Sequence, residues 1–222
     1  MTDAVRTDRV GVWCDAHGVL SDLAASFAAV ARPLQLLLVS GSLRAGSTNT
    51  AVLETARMLA PRRVKAVLYR GMGGLPHFNP DDDREGETVH GAVTELREQV
   101  ESADALLICT PEYAGALPGA LKNLLEWTVG DAGTYRKPVG WINASGGAAP
   151  TGGADAHHSL CKVLGYVHAD IVDVACKRVP LTRDAIGPEG TIADPQIREQ
   201  ITAALTALTQ HVAHRDTEDP HA

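Results

Sequence analysis

Apolar residues fall along this chain in two alternating rhythms. Dense short runs of strand length occur at LQLLLVS (34–40), VKAVLY (64–69), DALLICT (104–110), KPVGWINA (137–144) and DIVDVAC (170–176). Between them, apolar residues recur every three or four positions. Val52, Leu53, Ala56 and Leu59 mark one face of a helix over 49–60; Val89, Val93, Leu96 and Val100 mark one over 88–102. Further helices are predicted over 119–130, 156–167 and 194–214, the last with Asp194 as N-cap and Pro195 at its first position. The first, third and fourth runs are apolar on both faces, as in parallel strands covered by helices on either side. Five strand–helix alternations therefore predict a doubly wound α/β domain over 34–214. Right-handed crossovers bring the turns that follow the strands to the carboxyl edge of that sheet.

Residues 1–33 lie outside this rhythm. They form an N-terminal extension in which SDLAASFAAVA (21–31) reads either as one helix, docked or loose, or as part of a disordered arm, and residues 215–222 read as a frayed polar tail. The 222 residues are 45% hydrophobic, enough for one sizeable core. A net charge of -7 without a long lysine or arginine run excludes a nucleic-acid binder that works by neutralising phosphates. No run of eighteen apolar residues occurs, so no membrane-spanning helix is expected. MTDAVRTDRV lacks the apolar centre of a signal peptide. Cys14, Cys109, Cys161 and Cys176 show neither redox-motif nor zinc spacing. They read as free thiols in a reducing cytoplasm, Cys109 as a small buried hydrophobe. His157, His158 and His168 do not form a ligand pattern, and no metal is expected. DDDRE (81–85) reads as a solvated loop.

The chemistry is expected in the turn after the first strand, VSGSLRAGSTNT (39–50). A strand, a glycine-rich turn and a helix N-terminus make an anion site, because backbone amides and the helix dipole converge there. Ser42, Ser47, Thr48 and Asn49 add hydroxyl or amide donors, and Arg44 a charge-assisted one. Gly41 and Gly46 stand at the spacing of a triphosphate-binding loop, but Ser47 replaces its lysine. Leu43 also breaks the dinucleotide fingerprint. A ligand with one phosphate fits better than either.

A second loop, TPEYAGALPGALKNLLEW (110–127), follows the third strand and should face the same crevice. Gly41 to Asn49, with Thr110 to Tyr113 and Pro118 to Asn123, resemble the two motifs of the NADPH-dependent FMN reductase family, over about residues 34–176. The resemblance implies a flavodoxin-like five-stranded sheet in the order 2-1-3-4-5, tightly bound FMN, and NADPH or NADH as reductant. It implies that Ser42, Arg44, Ser47 and Asn49 hold the FMN phosphate and that Pro111, Glu112 and Tyr113 lie along the ring. Ser145, Gly146 and Gly147 would border its other edge. It further implies a small-molecule electron acceptor (flavin, quinone, azo compound or metal oxyanion) and a homodimer or homotetramer. This chain carries Ala114, Ala116 and Asp155 where family members often have Asn, Ser and Arg. No side chain need act as acid or base, so no catalytic residue is assigned. Two other functions fit the fold: a flavodoxin-type electron carrier without its own NAD(P)H reactivity, and a flavin-free phosphate-binding domain. The small Ala114-Gly115-Ala116 stretch cannot sandwich a ring, which favours the enzyme.

Overall fold

The computed structural model describes residues 32–84, 86, 88–146 and 150–218. The helix or arm read over 21–31, Gly147 and residues 219–222 lie outside the described residues. The parallel sheet consists of β1 (Leu34–Ser40), β2 (Val64–Tyr69), β3 (Ala105–Thr110), β4 (Pro138–Ser145), β5 (Asp170–Ile171) and β6 (Lys177–Pro180). Its order is β2-β1-β3-β4-β5, with β6 also on β4. Strands β3 and β4 are buried throughout, as their unbroken apolar runs require. Strand β2 exposes Lys65 and Val67 and lies at the edge.

Five helices, α1 (Thr48–Leu59), α2 (Gly91–Ser102), α3 (Gly119–Trp127), α4 (Ala154–Tyr166) and α5 (Pro195–Glu218), cover the two faces. Val52, Leu53 and Ala56 of α1 pack with Ile201, Leu205 and Leu208 of α5 on one side. Val93 and Leu96 of α2, Leu121 and Trp127 of α3, and Leu160 of α4 pack together on the other.

The single fifth strand expected over 170–176 is divided. Strand β5 pairs with the start of β4 (Pro138↔Asp170) and β6 with its end (Ile142↔Lys177). A 3-10 turn, Asp173–Ala175, intervenes and sets Ala175 against Gly140. A β-carbon on Gly140 would stand 2.7 Å from that of Ala175, so the glycine inside β4 makes room for the excursion.

Other differences have local causes. Helix α2 begins later than 88 because His90 caps it, its Nδ1 accepting from the Ala92 amide at 3.2 Å. Asp83, placed by its sequence neighbours in a solvated loop, instead accepts two 2.8 Å hydrogen bonds from Arg97, and both side chains are largely buried. The closing helix starts as expected, with Asp194 Oδ1 accepting from the Gln196 and Ile197 amides. It continues past 214 to Glu218, so residues 215–218 are not a frayed tail. Arg215 ties this end down through Asp170 and the Arg136 carbonyl.

Candidate functional site

The turn between β1 and α1 is built around two glycines. The Gly41 amide donates to the Cys109 carbonyl at 2.8 Å, drawing the ends of β1 and β3 together. A β-carbon at Gly41 would lie 2.5 Å from Thr110 Oγ1, which excludes any larger residue. Gly46, at φ +59°, then turns the chain into α1. Ser47 caps that helix, its Oγ accepting from the Asn49 amide at 3.2 Å. The Ser47 hydroxyl proton is left to donate elsewhere. Among the described residues no acceptor meets the Thr48 amide, one of the unsatisfied donors of the helix start. Ser42 Oγ accepts from the Arg44 amide, while the Arg44 guanidinium is exposed and faces no carboxylate among the described residues.

Asn49 is buried and oriented by a residue that the sequence presented only as a small hydrophobe. The Cys109 thiol donates to Asn49 Oδ1 at 3.3 Å. Burial pushes that thiol's pKa well up, so it remains the protonated donor.

The loop after β3 supplies the second wall. Tyr113 and Ala116 exchange backbone hydrogen bonds of 3.0 and 3.1 Å, closing a two-residue hairpin. Its central residues, Ala114 and Gly115, have φ +51° and +71°. Asn-Gly is the favoured pair for such a turn, and alanine pays a steric cost there that asparagine avoids. Ala114 is exposed, so Ala114→Asn is expected to raise stability by about 0.5 kcal/mol, read from the urea midpoint. A fall in the midpoint would contradict this account of the turn.

Glu112 links this wall to the next. Its Oε2 accepts from Thr151 Oγ1 at 2.5 Å and from the Asp155 and Ala156 amides at 3.2 and 3.4 Å. Helix α4 has Gly153 as N-cap, without a side chain to cap it. Glu112 performs that task from a distant loop, its charge set against the positive end of the helix dipole.

The third wall is the end of β4. Ser145 is buried, and its Oγ has no partner among the described residues. Gly153, at φ +85°, approaches so closely that a β-carbon there would be 2.5 Å from this oxygen. Behind the wall, Trp141 Nε1 donates to His157 Nδ1 at 3.0 Å, and the same ring nitrogen lies 3.1 Å from Asn143 Oδ1. Burial, then the nearby His158 and Arg178, hold the His157 pKa below its ordinary value, in keeping with a neutral, structural imidazole.

A fourth wall went unseen in the sequence: Leu181, Thr182 and Arg183, just past β6. The Leu181 amide donates to the Ser145 carbonyl, and Arg183 reaches the carbonyls of Ala45 and Gly46. No local motif marks these residues; only the strand order brings them to this edge.

These walls enclose a cleft of about 740 Å³. Ser42, Arg44, Ser47, Thr48, Asn49, Pro111, Glu112, Tyr113, Ala114, Gly115, Ser145 and Gly146 all line it, whereas Gly147 lies outside the described residues. Arg44 and Arg183 bring positive charge to the turn before α1, and Glu112 and Asp155 bring negative charge near the start of α4. Among the described residues no cluster of His, Cys, Asp or Glu could hold a metal ion, and no helix is long and apolar enough to cross a membrane.

The family model described as NADPH-dependent FMN reductase matches residues 34–176. An NAD(P)H-dependent FMN reductase of Pseudomonas aeruginosa is 33% identical over 177 residues, spanning 79% of this chain and 93% of that one. A quinone reductase of Escherichia coli is 29% identical over 182 residues, spanning 81% and 95%. The solved flavoenzyme NAD(P)H:(acceptor) oxidoreductase from Paracoccus denitrificans shares the fold, with a TM-score of 0.70 at 24% identity, over 82% of this chain and 98% of its own.

Proposed function

Because the chain belongs to the NADPH-dependent FMN reductase family, we propose that its cleft holds FMN with the phosphate in the turn before α1 and the ring between the loops after β3 and β4. The protein is an FMN-dependent NAD(P)H oxidoreductase. When bound in the cleft, FMN would supply the redox chemistry that links NAD(P)H to a small-molecule acceptor.

The residues present fit that group. Among the described residues, Ser47 and Thr48 hold unspent donors at a helix start, and Arg44 offers a charge without a carboxylate partner. Ser42 and Asn49 complete the phosphate end, and Asn49 is kept in orientation by the Cys109 thiol. At the ring end, Ser145 Oγ is a buried hydroxyl without a partner among the described residues. Pro111, Glu112, Tyr113, Ala114 and Gly115 form one wall of the ring site, and Gly146 lets backbone approach from the other side. Gly147 is assigned to the same edge by its place in the motif. The Glu112 carboxylate is engaged in capping α4, so its part is to hold two walls together.

The single observation that carries this reading is the convergence on one cleft of a lysine-free anion turn with the loops after β3 and β4. The acceptor is proposed to be a flavin, quinone or azo compound, and the assembly a homodimer or homotetramer. Exposed aromatic side chains such as Tyr135 and Tyr166 suit an assembly. Unpaired Cys109, Cys161 and Cys176 suit the reducing cytoplasm expected for the chain.

The test is anaerobic. Purified protein loaded with FMN should lose its visible flavin band when NADPH or NADH is added, and a quinone should restore it. A band that persists until a separate reductase is supplied would identify an electron carrier. Failure to take up FMN at all would overturn the assignment of the cleft.

A further inference from the structure

We propose that Arg183 is a positioning residue for the phosphate turn, a role that rests on the reading of the cleft as an FMN site. Arg183 lies in the 3-10 turn Arg183–Ala185, beyond the region matched by the family model and 137 residues from Gly46. Its Nη2 donates to the carbonyls of Ala45 at 3.3 Å and Gly46 at 3.1 Å.

Holding two successive carbonyls fixes two successive peptide planes, because each amide unit is rigid and trans. Those planes flank Gly46, the residue with the least conformational preference of its own, held here at φ +59°. They also carry the amides of Gly46 and Ser47. The guanidinium therefore sets the entry to α1, and with it the positions of Ser47 and Thr48 in the cleft. Without this tie, the glycine turn would have to be ordered when the phosphate binds, at the expense of affinity.

Arg183 also lines the cleft, and no carboxylate pairs with it among the described residues. It thus adds positive charge beside the turn that Arg44 serves from within. A geometric tie and a second charge both act on the phosphate; neither acts on a bare isoalloxazine ring. The consequence is selective: Arg183 contributes to affinity for FMN and little to affinity for riboflavin, which has the ring without the phosphate.

The experiment measures dissociation constants of FMN and riboflavin for the full-length apoprotein, wild type and Arg183→Ala, by quenching of flavin fluorescence. Arg183→Ala should weaken FMN by about tenfold to a hundredfold and change riboflavin by less than about twofold. Arg183→Lys, which restores charge but not the planar fork, should recover only part of the loss. Equal weakening of both flavins would show a general packing role and overturn the proposal, as would unchanged FMN affinity. If alanine perturbs folding, Arg183→Gln read in the same way decides the matter. Wild-type protein that binds riboflavin as tightly as FMN would overturn the phosphate assignment itself, and is told apart because it needs no variant.

Discussion

Gly153→Ala should lower stability by about 3 kcal/mol or more, the largest single-residue loss expected at this site. Three costs add. The residue sits at φ +85°, where an L side chain costs roughly 1–2 kcal/mol. The new β-carbon would stand 2.5 Å from Ser145 Oγ and 3.3 Å from Asn143 Cβ, both on buried β4 residues that cannot retreat. If the start of α4 shifts to relieve the clash, the Asp155 and Ala156 amides move away from Glu112, at a cost of about 1 kcal/mol. For a chain of this size, 3 kcal/mol corresponds to a fall in Tm of very roughly 6–12 °C.

Gly152→Ala supplies the internal control. Gly152 also has positive φ, +60°, but a β-carbon there meets nothing within 4 Å. Thermal unfolding of the two variants should therefore separate backbone strain, present in both, from the collision with Ser145, present in one. Equal Tm values would mean that α4 does not press on β4 as closely as 2.5 Å implies.

The same contrast between local and remote causes explains what could be read in the sequence. Strands β1, β3 and β4 were legible because burial on both faces leaves unbroken apolar runs. The phosphate turn was legible because strand, glycine, N-cap and helix follow one another within a dozen residues. What escaped was decided by residues far apart in the chain. The division of the fifth strand depends on Gly140 meeting Ala175. The burial of Asp83 depends on Arg97, and the cap of α4 on Glu112, more than forty residues before it. Cys109 looked apolar because its run is apolar; its bond to Asn49 spans 60 residues. Arg183 belongs to no motif and enters the site only because β6 ends at the edge where β1 ends. Local patterns specify elements and the residues at their ends; side chains that cross between elements require the fold.

Replacing Arg44 and Ser47 together by alanine should remove FMN while leaving a folded protein. The two residues differ in what they do for the fold. The Arg44 guanidinium is exposed without a carboxylate partner among the described residues, so its loss should scarcely affect stability. Ser47 caps α1 through the Asn49 amide, and its loss should cost about 1 kcal/mol. Neither reaches the core, and far-ultraviolet circular dichroism should be unchanged. For the ligand, a charge-assisted bond to a phosphate contributes roughly 1.5–3 kcal/mol and a hydroxyl bond about 1 kcal/mol. Together these predict a loss of FMN affinity of about a hundredfold to a thousandfold. A protein purified yellow as wild type should therefore be purified colourless as the double variant, with riboflavin binding nearly untouched. Affinity for FMN within about threefold of wild type would place the phosphate away from this turn, since the loss of a cation and a hydroxyl cannot be silent where both touch a dianion.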